Sequence, residues 1–424
     1  LFTWLICLNG AARARADLNA YLKRPESVYR WEKRDQTEVN GVTVYDLHLV
    51  SQTWQGHVWE HRLQIFRPDE LTYPHFCALL NTGGKGSQEE TEMGAMIAKR
   101  SGTLFAILYG IPKQPLYGGK VEDELVVYTW QKFLETGDAS WPLHFPMAKA
   151  VLKAMDSIQA FSREAGHPAV TDFLITGASK RGWTTWLVGA SRDKRVKAIA
   201  PMVIDTLNVA AQIPHQLASL GKPSEEIADY TNGGMLEALN TERGKQLLQL
   251  EDPYSYREIL TLPKLIINGT NDRYWAQDAL NLYWDGLKGP KWILYAPNSG
   301  HGLEDRTRVF NTLTAFARSI AGKTAWPRMK WNYTPTAHGV HLKMTSSIAP
   351  KSARLFRAYA ATKDFRDSKW TYVPMNQNGK DYAGALETPA SGFAAVFGEA
   401  TYEIEGRTFT LSTQIRILGK KPVP

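Results

Sequence analysis

Short apolar runs separated by helical stretches constrain this chain more than any other feature. The runs fall at residues 75–80, 103–108, 172–176, 197–204, 263–268 and 291–296, and stretches with helical spacing fall at 88–100, 122–135, 146–164, 181–191 and 303–320. A continuous apolar strand can be covered on both faces, and parallel neighbours need a long crossover, so the alternation predicts a mostly parallel sheet with helices on both sides. Ahead of it, "VTVYDLHLV" (42–50) and "WEHRLQIF" (59–66) alternate with period two. Tyr45, Leu47 and Leu49 share one face, as do Leu63 and Ile65, which predicts an antiparallel pair opening the sheet.

At 424 residues the chain exceeds what one core usually serves, so a second domain is expected. Residues 17–326 hold the α/β pattern. Within them, residues 207–260 carry no strong strand signal and read as a helical insertion, a kind of segment that often serves as a lid. Past Pro327 short strands return in "GVHLKMTSS", "ARLFRAYAA" and "GFAAVFGEATYEIEG", so residues 327–424 are expected to form a β-rich, sandwich-like domain.

Composition excludes several classes. With 43% hydrophobic and 22% charged residues the chain lies in the ordinary globular range, which leaves little room for long disorder. The net charge of +8 is scattered among acidic residues rather than gathered in a stripe, so no nucleic-acid partner is expected. Residues 1–16, an apolar run ending in Ala14-Arg15-Ala16, read as the remnant of an export signal. No later segment reaches the roughly 18 uninterrupted apolar residues of a membrane span. Of the two cysteines, Cys7 lies in that signal, and Cys77, in "HFCALL", cannot pair alone. A secreted or periplasmic location follows.

The chemistry is carried by "TDFLITGASKRGWTTWLVGA" (171–190). An apolar strand changes there into a helix that places Trp183, Trp186, Leu187 and Ala190 at helical spacing, with Ser179 at the turn. Small residues at Gly177, Ala178 and Gly182 let strand and helix approach closely, forcing the serine outward in a strained backbone. The amide of Lys180, at the helix N-terminus, can face a developing oxyanion. The loop "NTGGKG" after the run at 75–80 can supply the second amide, assigned to Gly84; its glycine and lysine spacing is not that of a phosphate-binding loop. A serine needs a base oriented by an acid. His301, in "NSGHG", and Asp272, in "NGTNDR", follow later strands in the order Ser, Asp, His, with Asp278 and Asp205 as competing acids. Arg181 stands where a second elbow glycine is usual and must either reach solvent or line the site. Arg181, Asn208 and Trp275 are candidate substrate contacts. His57 and His61 lie in strand-like sequence, so no metal is assigned, and no cofactor is expected.

Together, "GASKRGWTTWLVGA", "VVYTWQKFLETGDASWPLHFPMAKAVLKAMD", "NGTNDRYW" and "PNSGHG" resemble the PhoPQ-activated pathogenicity-related proteins. The resemblance implies an α/β-hydrolase fold with a C-terminal β-domain, an exported protein, and a link to envelope stress and virulence. Carried over by motif, it puts the nucleophile at Ser179, the acid at Asp272 and the base at His301. Lys180 also resembles the arginine that follows the nucleophile in glucuronoyl esterases, which implies a carbohydrate ester as one substrate. The expected function is an exported serine hydrolase cleaving an ester or amide of a small molecule, peptide or carbohydrate. The alternative is a secreted binding or signalling protein on the same fold.

Overall fold

A computed structural model describes residues 18–419. The expected export signal at residues 1–16 lies outside the described residues.

The six apolar runs form β4 (Tyr73–Asn81), β5 (Thr103–Leu108), β6 (Asp172–Ala178), β7 (Val196–Met202), β8 (Lys264–Gly269) and β9 (Lys291–Ala296). They lie side by side in the order β5-β4-β6-β7-β8-β9, all parallel. The alternating pair forms β2 (Val42–Trp54) and β3 (His57–Pro68), with Tyr45 opposite Ile65 and Leu47 opposite Leu63, and β3 joins β5 antiparallel. Outside β2 lies β1 (Arg30–Glu38), "RWEKRDQTE", almost wholly exposed. A charged edge strand of this kind resists pairing with other chains and carries no apolar face for a sequence pattern to show.

Helices α1 (Gln88–Ser101), α3 (His144–Glu164), α4 (Lys180–Ala190) and, after the insertion, α9 (Arg306–Gly322) cover the sheet, while α2 (Glu122–Thr136) packs against the helical insertion. Strand side chains alternate between two cores. Phe173, Ile175, Ile199 and Ile266 point to one side and pack with Met147 and Val151 of α3 and Trp186 of α4. Leu174, Phe105 and Ile267 point to the other, with Ile97 of α1 and Phe316 of α9. Each parallel strand thus buries both faces, which is why these runs are continuously apolar.

Residues 207–260 are helical: α5 (Val209–Leu220), α6 (Ala228–Asn232), α7 (Met235–Ala238) and α8 (Glu242–Glu251), with short 3₁₀ turns between and after them. One carboxylate ties the base of this insertion. Asp252 accepts hydrogen bonds from the amides of Asn208 (3.2 Å) and Val209 (2.9 Å) at its start and of Tyr254 (2.9 Å) at its end.

The C-terminal strands do not stand apart from this sheet. β12 (Ser352–Ala360), β13 (Thr371–Pro374), β16 (Phe393–Ile404), β17 (Arg407–Ser412) and β18 (Arg416–Gly419) extend it to fourteen strands, and β17 joins β9 where Ser412 faces Ile293. The Tyr295 amide also donates to Ser412 Oγ (3.0 Å), so the edge of β9 is covered rather than left open. A second sheet, β10 (Met329–Thr336), β11 (Gly339–Ser346), β15 (Asp381–Glu387) and β14 (Asn376–Asn378), shares a core with the first through Leu342, Met344, Leu355 and Val396.

Candidate active site

The turn between β6 and α4 is tight for a steric reason. A Cβ on Gly182 would lie 2.7 Å from the Met202 carbonyl oxygen, and one on Gly177 would lie 2.6 Å from that of Arg181. Ser179, caught between them, adopts φ 57° and ψ −127°, a left-handed conformation unfavourable for any residue with a side chain. The turn is held by its neighbours: the Ser179 amide donates to Met202 O (2.9 Å), and Asn81 Nδ2, at the end of β4, donates to Thr176 O (2.8 Å) and Thr185 Oγ1 (3.1 Å). Among the described residues the Ser179 hydroxyl has no hydrogen-bond partner.

Two further strand ends bring an acid and a base together. Asp272, buried just after β8, accepts the Tyr274 amide on Oδ1 (3.0 Å) and lies 2.8 Å from His301 Nδ1 through Oδ2. The Tyr274 ring lies against the His301 ring with centroids 4.3 Å apart, fixing its plane. The two competing acids are engaged elsewhere. Asp278 Oδ1 is bonded to His215 Nε2 of the insertion (2.7 Å), and Asp205 Oδ1 accepts the Tyr283 hydroxyl (2.6 Å).

Burial, reinforced by the negative charges of Asp272 and Asp278, pushes the Asp205 carboxyl up to about 7. Because that value is raised above the ordinary carboxylate range, folding retains a proton the unfolded chain would release. The stability this one group contributes is therefore fully present below about pH 4 and is lost as pH rises towards 7. Asp205→Asn, which cannot ionise but keeps an oxygen for Tyr283, is expected to flatten this decline. Urea unfolding at pH 5 and pH 8 checks it: the variant should gain stability over the parent at pH 8, by up to about 4 kcal/mol, and much less at pH 5.

Lys180 and Arg181 are neither solvated cations nor free anion receptors. Both are buried. Lys180 Nζ lies 3.1 Å from Glu122 and 3.0 Å from Asp123, in the first turn of α2. Arg181 makes a two-pronged pair with Glu122, both contacts at 2.7 Å. The guanidinium also lies directly under the loop after β4: a Cβ on Gly83 would fall 2.0 Å from Arg181 Nη2. The arginine in the elbow's unusual position thus supports the glycine-rich loop from below. That loop is laced to the turn after β5 by Gly110 N–H to Gly84 O (2.9 Å) and Ile111 N–H to Thr82 O (3.0 Å). The Gly84 amide makes only a long contact to Thr82 Oγ1 (3.4 Å).

Asn208 holds the insertion, donating from Nδ2 to Leu282 O (2.9 Å), and does not line a cavity with the serine. Trp275 does. Ser179 and Lys180 border a largely apolar cavity whose walls include Trp130 of α2, Trp183 of α4, and Ile213, Met235 and Leu239 of the insertion. Sequence reading missed Glu122 and Asp123, whose pairing with the elbow spans 59 residues and leaves no local signal. It also missed Tyr274, whose ring stacking has no spacing rule.

A parallel sheet wrapped by helices, with a serine elbow and a histidine–acid pair on its carboxyl edge, is an arrangement of α/β-hydrolase type. The chain belongs to the family described as PhoPQ-activated pathogenicity-related protein, which matches residues 18–366. It is similar to the autocrine proliferation repressor protein A of Dictyostelium discoideum, 29% identical over 91% of this chain and 85% of that protein. Among solved structures it is similar in fold to acetyl xylan esterase 1 from a Thermoanaerobacterium species, with 13% identity, a TM-score of 0.50, and 71% of this chain and 92% of the esterase covered. An acetyl xylan esterase from a Paenibacillus species gives a TM-score of 0.46 at 14% identity, with 71% and 92% covered. No helix among the described residues is long and apolar enough to cross a membrane.

Proposed function

We propose that this protein is an exported serine hydrolase that cleaves an ester or amide bond through an acyl-enzyme. The observation that carries the reading is the 2.8 Å bond between His301 and Asp272 at the same sheet edge as the strained Ser179. His301 Nδ1–H donates to Asp272, which fixes the tautomer and leaves Nε2 to accept a proton. Ser179 Oγ attacks the carbonyl carbon while its proton passes to His301. The carbonyl oxygen, now negative, is held by the Lys180 amide at the start of α4 and by an amide of the loop at Gly84. Collapse breaks the bond to the leaving group, which takes the proton back from His301. Water, activated in the same way, then frees the acid and regenerates the serine. Export and a role at the envelope belong to this proposal through the family's description.

A second reading, a secreted signalling protein that uses the fold without catalysis, draws its signalling role from the Dictyostelium relative, an autocrine proliferation repressor. One experiment separates the two. Exposed to a fluorophosphonate probe, the folded protein is expected to be labelled at Ser179, mapped by mass spectrometry, with labelling lost in Ser179→Ala and His301→Ala. Well-folded protein that takes no label would favour the signalling reading, and a partner still bound by Ser179→Ala would strengthen it.

A further inference from the structure

We propose that the cavity under the helical insertion holds the acyl part of the substrate, and that this part is a bulky apolar group, a medium-chain or aromatic acid rather than acetyl. The inference rests on the serine hydrolase reading above and names the substrate class for the same site.

The walls are the first argument. Trp130 and Trp183 come from the helices of the main domain, while Ile213, Met235, Leu236 and Leu239 are supplied by the insertion, so the insertion builds the cavity rather than merely covering it. A two-carbon acyl group would leave most of this apolar surface without a partner.

The second argument concerns the polar side chains on the same walls, most of which are already engaged. Lys180 is paired with Asp123, which also accepts the Tyr230 hydroxyl (3.0 Å). Gln212 donates to the Ala279 carbonyl (3.2 Å) and Gln216 to that of Tyr274 (2.8 Å). The Trp130 indole donates to Glu251 Oε2 (3.2 Å), and the Trp183 indole to the Glu251 carbonyl (2.5 Å). Of the fully buried side-chain nitrogen and oxygen atoms on this lining, only Trp275 Nε1 lacks a partner. A hydroxyl-rich or charged group entering here would lose its water and find few partners in exchange, the Thr206 and Tyr274 hydroxyls and Trp275 Nε1, whereas an apolar group loses nothing.

The third argument assigns the cavity to the acyl side. His301 must return its proton to the leaving group, yet it is not among the lining residues, and its side chain is 30% exposed. The leaving group therefore departs on the solvent side of His301, and the group retained on Ser179 Oγ lies under the insertion.

The test uses the exported chain and 4-nitrophenyl esters with one leaving group and varied acids: acetate, butyrate, octanoate and benzoate. The expected kcat/KM for octanoate exceeds that for acetate at least tenfold. Two substitutions on the wall, Ile213→Asp and Leu217→Asp, are expected to lower the octanoate-to-acetate ratio at least tenfold. Leu217 is 41% exposed, so a charge there is tolerated by the fold. Fluorophosphonate labelling is measured on the same samples. Labelling at Ser179 with acetate preferred, or a ratio unmoved by both substitutions, overturns the acyl assignment and leaves the hydrolase intact. No labelling and no ester cleaved overturns both.

Discussion

Asp272→Asn is expected to lower ester hydrolysis by about 10³ to 10⁴, while Asp205→Asn and Asp278→Asn lower it less than tenfold. All three acids follow strands on the carboxyl edge of the sheet or lie in the segment after one, and sequence order alone leaves them open. Geometry separates them, because only Asp272 is bonded to His301, and its second oxygen is fixed by the Tyr274 amide. An asparagine there offers the histidine either a donor or a weaker acceptor. The tautomer that leaves Nε2 free is then no longer favoured, and no carboxylate balances the imidazolium formed during attack. Asp278 is bonded to His215 of the insertion and Asp205 to Tyr283, so their loss disturbs packing around the site rather than the proton path. Steady-state kinetics on the best 4-nitrophenyl ester, with circular dichroism to check folding, decides the matter. A larger loss in Asp205→Asn would move the acid to the end of β7.

The parts of this molecule legible in its sequence are those in which one physical rule acts locally. Leu174 and Ile175 face opposite cores, so the centre of β6, Phe173 to Ile175, had to be continuously apolar, and the run shows it. The elbow is legible because Gly177 and Gly182 each stand where a Cβ would strike backbone, and these constraints fall within six residues of one another. The strand β1 was invisible because an exposed edge has no buried face to impose a period. The junction between β9 and β17 was invisible for another reason: Ser412 and Ile293 are neighbours only in space, and short strands past residue 327 look the same whether they extend a sheet or start one. The role of Arg181 lay furthest from reach. Its position suggested a side chain that escapes to solvent or lines the site, yet it is buried beneath Gly83, which becomes tolerable only once Glu122 arrives from a different helix.

That dependence sets the second large effect, expected in Glu122→Ala. The carboxylate neutralises two buried cations at once, Lys180 and Arg181, at the residues that follow Ser179. Removing one partner of a buried ion pair leaves an uncompensated charge, which typically costs 3–5 kcal/mol. Here Asp123 still serves Lys180, and the Glu122 side chain is 40% exposed, so a loss of about 2–3 kcal/mol is expected in urea unfolding at pH 7. The functional loss should be larger than the stability loss implies, because the freed guanidinium lies under Gly83 and its movement displaces the amides expected to hold the oxyanion. Fluorophosphonate labelling of folded Glu122→Ala should therefore slow at least tenfold, and a variant labelled at the parent rate would sever the link between this ion cluster and the loop. The acid dependence gives an independent reading. Burial raises the Glu122 carboxyl, but the hydrogen bonds and charge of Arg181, with Gln114 and Lys180, outweigh it and hold it at about 2. A carboxylate lowered in the folded state contributes stability that is fully present above its unfolded value, near 4.5, and is lost as pH falls towards 2. The gap in stability between parent and Glu122→Ala should thus be widest above about pH 5 and close progressively in acid, whereas a gap arising only from lost packing would not change with pH.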